Sequence, residues 1–106
     1  MGWVRVLLRV LAAWWRAHTT PFQSPKERRV ARQLWAADPA WQSDVEIAVG
    51  PGETVRADFM HPDRRIVVEV RSSGESAKWS LRRCLALQRA GYQVRIVVDA
   101  REVEGM

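Results

Sequence analysis

An α/β protein, with a mixed central sheet flanked by helices and an extra amphipathic helix in front, is what this sequence predicts. Three observations carry the prediction. Residues 55 to 70 alternate apolar and polar side chains on both sides of a His61-Pro62-Asp63 break, as two strands of a hairpin do. Residues 24 to 37 and 76 to 90 space their apolar side chains three and four apart between a capping start and a stop. Residues 92 to 98 then form a last apolar strand, and the crossover through the second of these helices brings it parallel to the strand before it.

The chain has 106 residues, 47% of them hydrophobic and six of them Trp, enough for a folded core and too apolar for a disordered segment. Its net charge is +5, from 17 basic and 12 acidic residues, which favours an anionic partner such as nucleic acid or an acidic lipid surface. Only Lys26 and Lys78 are lysines; the remaining cations are arginines, the better bidentate clamp for phosphate. A single cysteine, Cys84, excludes an internal disulfide and a cysteine-based zinc site and fits a reducing cytoplasm.

Residues 1 to 20 are expected to form a helix apart from a single domain over residues 21 to 106. At helical pitch Arg5, Arg9 and Arg16 share one narrow stripe, and Trp3, Leu7, Leu8, Leu11, Trp14 and Trp15 with their apolar neighbours cover the rest. Three explanations stand: a homodimer interface, deep packing on the chain's own domain, or a helix lying in a membrane interface with its arginines at the headgroups. Spanning is not expected, because the apolar run is short and broken by arginines. A signal peptide fits poorly, since Trp14-Trp15-Arg16 stands where small cleavage-site residues belong, and Val6 replaces the Ser or Thr of a myristoylation signal.

After a linker with Pro21, Ser24 is an N-cap, Pro25 suits the first helical position, and Glu27 completes a capping box. The helix should stop at Asp38-Pro39, with Val30, Ala31, Leu34 and Ala37 as its apolar stripe. Glu27 projects from that same side, either as part of the capping box or reaching a metal or water at the sheet edge. Residues 41 to 44 read as a connector, residues 45 to 49 as a first strand, and Gly50-Pro51-Gly52 as a turn.

The hairpin that follows carries the chemistry. With a two-residue tip at Asp63-Arg64, Asp58 lies directly across from Glu69, and Arg71 is on the same face one step along. Two close carboxylates repel unless a cation or donors offset them, and Mg²⁺ is the usual occupant of such a pair. The plainer alternative is a solvated hairpin face on which Arg56 and Arg71 pair with the acids. Ser72-Ser73-Gly74 breaks the sheet. In the helix over residues 76 to 90, Ala77, Leu81, Cys84, Leu85 and Leu87 make the buried stripe, Gln88 lies near its middle, and Gly91 is the stop. Gln88 either bonds main-chain groups or points into the patch around Glu69. Lys78, Arg82 and Arg89 line a neighbouring row that is either a solvated face or a track for a phosphate backbone. Residues 99 to 106 read as a polar, helical end.

The order of these elements, with Glu27 near a helix start, Asp58 on the second strand and Glu69-Val70-Arg71 on the third, resembles the PD-(D/E)xK nuclease superfamily, the restriction-endonuclease-like fold. The likeness covers roughly residues 24 to 100 and is nearest in outline to its small resolvase-like and RecB-like branches, with Gln88 matching the helix Gln of the latter. It implies a DNA endonuclease in which Asp58, Glu69 and the Val70 carbonyl, with Glu27, hold Mg²⁺ or Mn²⁺. Arg71 replaces the family's Lys; it stays protonated and stabilises phosphate charge but is a poor proton acceptor. Lys78, the one lysine near this end of the sheet, or His61 in the turn, would have to supply what Arg71 lacks. The resemblance further implies nucleic-acid contacts through Arg56, Lys78, Arg82 and Arg89, and a homodimer around a duplex. Two other functions stay open: a nuclease-like module that binds nucleic acid without cutting, and a membrane-surface or assembly protein built on the first helix.

Overall fold

The computed structural model describes residues 2–22, 24–71 and 77–98, except the side chains of residues 77–80. Along these residues run α1 (Gly2–Thr19), α2 (Pro25–Ala37), β1 (Gln42–Gly50), β2 (Glu53–His61), β3 (Ile66–Val70), α3 (Ala77–Arg89) and β4 (Gln93–Val97). The fold is α/β, with a four-stranded mixed sheet in the order β1-β2-β3-β4. The first three strands pair antiparallel, and β4 pairs parallel to β3. That is the meander and crossover expected from the sequence. The Ser72-Ser73-Gly74 break and residues 99 to 106 lie outside the described residues. The chain forms two compact units, one containing α1 and α2 up to Trp41 and the other running from Gln42 to Val98.

In the helical unit, Ser24 is extended (φ −148°, ψ 155°) and its side chain accepts the Glu27 N–H at 3.2 Å, with Pro25 at the first helical position. The helix ends where the Asp38 N–H reaches the Leu34 carbonyl at 2.8 Å, just before Pro39. Its buried residues are Val30, Ala31, Leu34 and Trp35. Trp35 takes the place expected for Ala37, which is exposed; the indole can be buried because its Nε1 donates to the Trp41 carbonyl at 2.8 Å.

Helix α1 is turned opposite to its composition. Ala13 and Ala17 are its buried residues, and Arg9 and Arg16 reach α2 and the segment after it. Arg16 donates to the Pro39 carbonyl at 3.0 Å and lies 4.0 Å over the Trp35 ring, while Arg28 of α2 donates to the Ala17 carbonyl at 3.1 Å near the C-terminal end of α1. Two small alanines let the helices approach closely, Arg28 satisfies a carbonyl in the last turn of α1, and Arg16 ties α1 to the segment after α2. The large apolar residues are left outside: Trp3 is 69% exposed, Trp15 68% and Leu8 61%. Within the helical unit, contact of this face with α2 is therefore not what holds the helix.

In the sheet unit, β1 starts at Gln42 and takes in residues expected to be a connector, and Gly52, with φ +71°, makes the turn to β2. All five residues of β3 are buried. Ile47, Ala57, Met60, Val67 and Leu87 form a core between the sheet and α3, flanked by Val45, Val55, Tyr92 and Val94. Ala57 and Met60 are three apart yet share this cluster, so β2 departs from strict alternation there; Asp44 opposite has φ +54°. On α3, Leu87 is fully buried, but Leu81 and Leu85 of the expected stripe are exposed and Cys84 is half-buried. The side chains of Ala77 and Lys78 lie outside the described residues.

Helix α3 stops as its Gly91 requires. The Gly91 N–H reaches the Gln88 carbonyl at 3.0 Å and the Tyr92 N–H the Leu87 carbonyl at 3.0 Å, with Gly91 at φ +94°. Arg65 locks this turn to the β2–β3 connection. It donates to the Ala90 carbonyl at 2.7 Å and lies 4.2 Å over the Tyr92 ring.

Candidate functional site

The β2–β3 hairpin sets the geometry of the site. Its connection has four residues, 62 to 65, because His61 pairs directly with Ile66; the expected two-residue tip at Asp63-Arg64 is corrected. The loop is held by the His61 imidazole, whose Nδ1 accepts the Arg64 N–H at 3.2 Å, and by Arg65 at φ +52°. His61 is buried and ends β2 rather than standing in the turn. One residue is added on each side of the tip, so the pairing is unchanged. Phe59 faces Val68 and Met60 faces Val67, which carries Asp58 opposite Glu69.

The paired residues end at Phe59 and Val68, and there a side chain takes over from the main chain. Asp58 Oδ2 accepts the Val70 N–H at 2.8 Å. On its other side β3 stays attached to β4, with the Arg71 N–H reaching the Val97 carbonyl at 2.9 Å. The acid pair thus sits where β2 separates from β3 beneath α3.

Four side chains converge on this point. Glu69 is almost fully buried, its side chain 3% exposed. Its Oε1 accepts from Arg83 Nη2 at 3.2 Å, and the same guanidinium donates to the Arg56 carbonyl. Arg71 Nη2 lies 3.2 Å from Glu69 Oε2, while Nη1 lies 3.6 Å from Asp58 Oδ2 and donates to the Val70 carbonyl at 3.2 Å. The Arg71 contact to Oε2 is an ion pair by distance without hydrogen-bond alignment, so Oε2 is a buried carboxylate oxygen lacking a hydrogen bond.

The pKa of Glu69 is raised from 4.5 to about 8, first by burial and then by the neighbouring charge of Asp58. Arg83 and Arg71 pull in the other direction without overcoming these effects. Near neutral pH Glu69 is therefore largely protonated.

The structure brings together Asp58, Glu69, Val70 and Arg71 of the residues singled out from the sequence. Glu27 belongs to the helical unit, where its N–H is held by Ser24. Arg56 is turned to Asp44, with Nη2 2.9 Å from Oδ2. Gln88 is exposed, so it does not occupy the middle of a buried stripe or point into the patch; Leu87, beside it, fills the core position. Arg82 and Arg89 are exposed on α3, and the side chain of Lys78 lies outside the described residues. Arg83 is the residue that sequence reasoning missed. It stands one helical turn before Leu87 and so shares the inward face, a spacing that was present to be read.

Among the described residues no three or more His, Cys, Asp or Glu side chains gather into a metal-binding group. Two carboxylates and one carbonyl remain, an all-oxygen set that suits Mg²⁺, which commonly takes one or two carboxylates and completes its shell with water and substrate phosphate. The buried Glu69 Oε2 has no hydrogen bond, and the cation beside it is the Arg71 guanidinium at 3.2 Å. In comparisons with known proteins, no family model, no curated protein and no solved structure matches this chain.

Proposed function

We propose that the chain is a metal-dependent nuclease that hydrolyses DNA phosphodiester bonds on a restriction-endonuclease-like version of the α/β fold. The observation that carries this reading is the Asp58–Glu69 pair: two carboxylates kept together against their repulsion, one of them buried with an oxygen that has no hydrogen bond. Asp58, Glu69 and the Val70 carbonyl would hold Mg²⁺ or Mn²⁺. Such an ion lowers the pKa of a bound water and neutralises charge on the phosphate. Arg71, permanently charged, binds a phosphate oxygen and leaves proton acceptance to another group. Arg83 holds Glu69 in place from α3. The exposed Arg82 and Arg89 supply backbone contacts along the DNA.

A second reading, a nuclease-like module that binds nucleic acid without cutting, is favoured by one observation. Each oxygen of Glu69 already has a guanidinium nitrogen at 3.2 Å, so Arg71 and Arg83 offset the charge a metal would otherwise balance. The two readings separate on labelled duplex, flapped and four-way-junction DNA, incubated with Mg²⁺, Mn²⁺ or EDTA. The nuclease reading expects metal-dependent cutting that falls on the order of a hundredfold or more in Glu69→Gln. Intact binding with no cutting in either metal replaces it with the binding module.

A further inference from the structure

We propose that α1 lies flat on an anionic lipid surface, with its exposed apolar face among the acyl chains and the cationic helical unit at the headgroups. This inference is independent of the nuclease reading and rests on the orientation of α1 and the distribution of charge. Ala13 and Ala17 mark the inward direction of the helix. At 100° per residue the opposite direction falls on Leu8 and Trp15, flanked by Leu7, Leu11 and Trp14, and the apolar arc from Trp3 round to Leu8 is roughly 140° wide. Single exposed leucines are ordinary on a protein surface, but a contiguous face of this size, with Leu8 at 61% and Leu11 at 56% exposure, marks a contact surface.

The helix cannot turn this face inward without losing what holds it. Its polar stripe is committed to α2 and the segment after it: Arg16 bonds the Pro39 and Trp41 carbonyls and covers Trp35, and Arg9 reaches the Ala37 carbonyl at 3.5 Å. What covers the apolar face must therefore come from outside α2 and the segment that follows it.

Charge selects the occupant. Residues 1 to 41 contain seven Lys or Arg and two Asp or Glu, a surplus of +5 that equals the net charge of the whole chain. A second copy docked face to face would set one +5 unit against another, whereas an anionic bilayer is complementary. The rings suit the same role: Trp3, Trp14 and Trp15 are exposed and stand beside the leucines, the residue types that in-plane helices bury at the boundary of headgroups and acyl chains. Among the described residues no helix is long and apolar enough to cross a membrane, and 18 residues with a one-sided apolar face suit a helix in the plane of the interface.

The test is flotation of the full chain with vesicles of phosphatidylcholine alone and of phosphatidylcholine mixed with phosphatidylglycerol, alongside tryptophan fluorescence with brominated acyl chains. The expected result is co-flotation with the anionic vesicles, quenching by bromine, and binding at least about tenfold weaker without phosphatidylglycerol. The double variant Leu8→Gln/Trp15→Gln keeps the net charge and points away from α2; it should lose flotation while its circular dichroism and melting stay unchanged. Bromine quenching in the unsubstituted chain tests the same contact with no variant at all. Failure to float with anionic vesicles, or equal binding to both compositions, overturns the proposal. So does a concentration-dependent dimer, seen by light scattering, that the double variant dissociates while lipid binding is absent.

Discussion

A carboxyl group that ionises only near pH 8 makes stability depend on pH in the direction opposite to that of a salt-bridged acid. The pKa of Glu69 is raised above its ordinary value of 4.5, so the stability it contributes is fully present below about 4.5 and is lost as pH rises through about 8. Metal-free protein should lose stability across that window, on the order of a few kcal/mol, and level off above it. Urea melts at a series of pH values read this directly, and Glu69→Gln should flatten the curve. Arg83→Met removes one of the two cations beside Glu69. It should cost roughly 1–3 kcal/mol at pH 9, where the buried charge is left with less compensation, and clearly less at pH 5, where Glu69 is neutral. Equal losses at the two pH values would reduce Arg83 to a packing residue. Asp58 and Glu69 were legible in the sequence because hairpin pairing fixes which residues stand opposite. The pKa of Glu69 was not, because it depends on burial beneath α3 and on Arg83, a residue fourteen positions away.

At the level of elements, chain punctuation does much of the work, and it can be tested where it is tightest. Gly91 stops α3 at φ +94°, and a Cβ added there would meet Arg65 Nη2 at 3.2 Å. Gly91→Ala should therefore destabilise by roughly 1–2 kcal/mol, partly by backbone strain and partly by displacing Arg65 from the Ala90 carbonyl and the Tyr92 ring. A melt unchanged from the parent chain would show that the turn can relax without cost. Ser24→Ala, by removing the cap on the Glu27 N–H, should cost about 1 kcal/mol in the same assay. Both the Gly91 stop and the Ser24 cap were readable as local signals. The inward face of α3 was read less well, since Leu81 and Leu85 extended an apolar pattern that Leu87, with Cys84 half-buried, completes in the fold.

Over the whole molecule, the uneven spread of charge separates two kinds of contact. Binding of duplex DNA should weaken with salt, and Arg82→Ala/Arg89→Ala should lower the slope of log affinity against log salt by roughly 1.8 if both exposed guanidiniums contact phosphate. An unchanged slope would place the phosphate contacts elsewhere. By itself the sequence determined the order of the elements, the antiparallel meander with its parallel last strand, the stops of α2 and α3, and the opposition of Asp58 and Glu69. Each follows from side-chain periodicity or from a turn or cap within a few residues. Only the tertiary structure decided which way α1 faces, that Arg83 rather than Gln88 meets Glu69, and that Glu69 holds its proton to about pH 8. Those outcomes depend on partners distant in sequence. A helix pattern shows that two faces differ, but which face turns inward depends on the carbonyls and rings it meets, and for α1 these belong to α2 and the residues just beyond it.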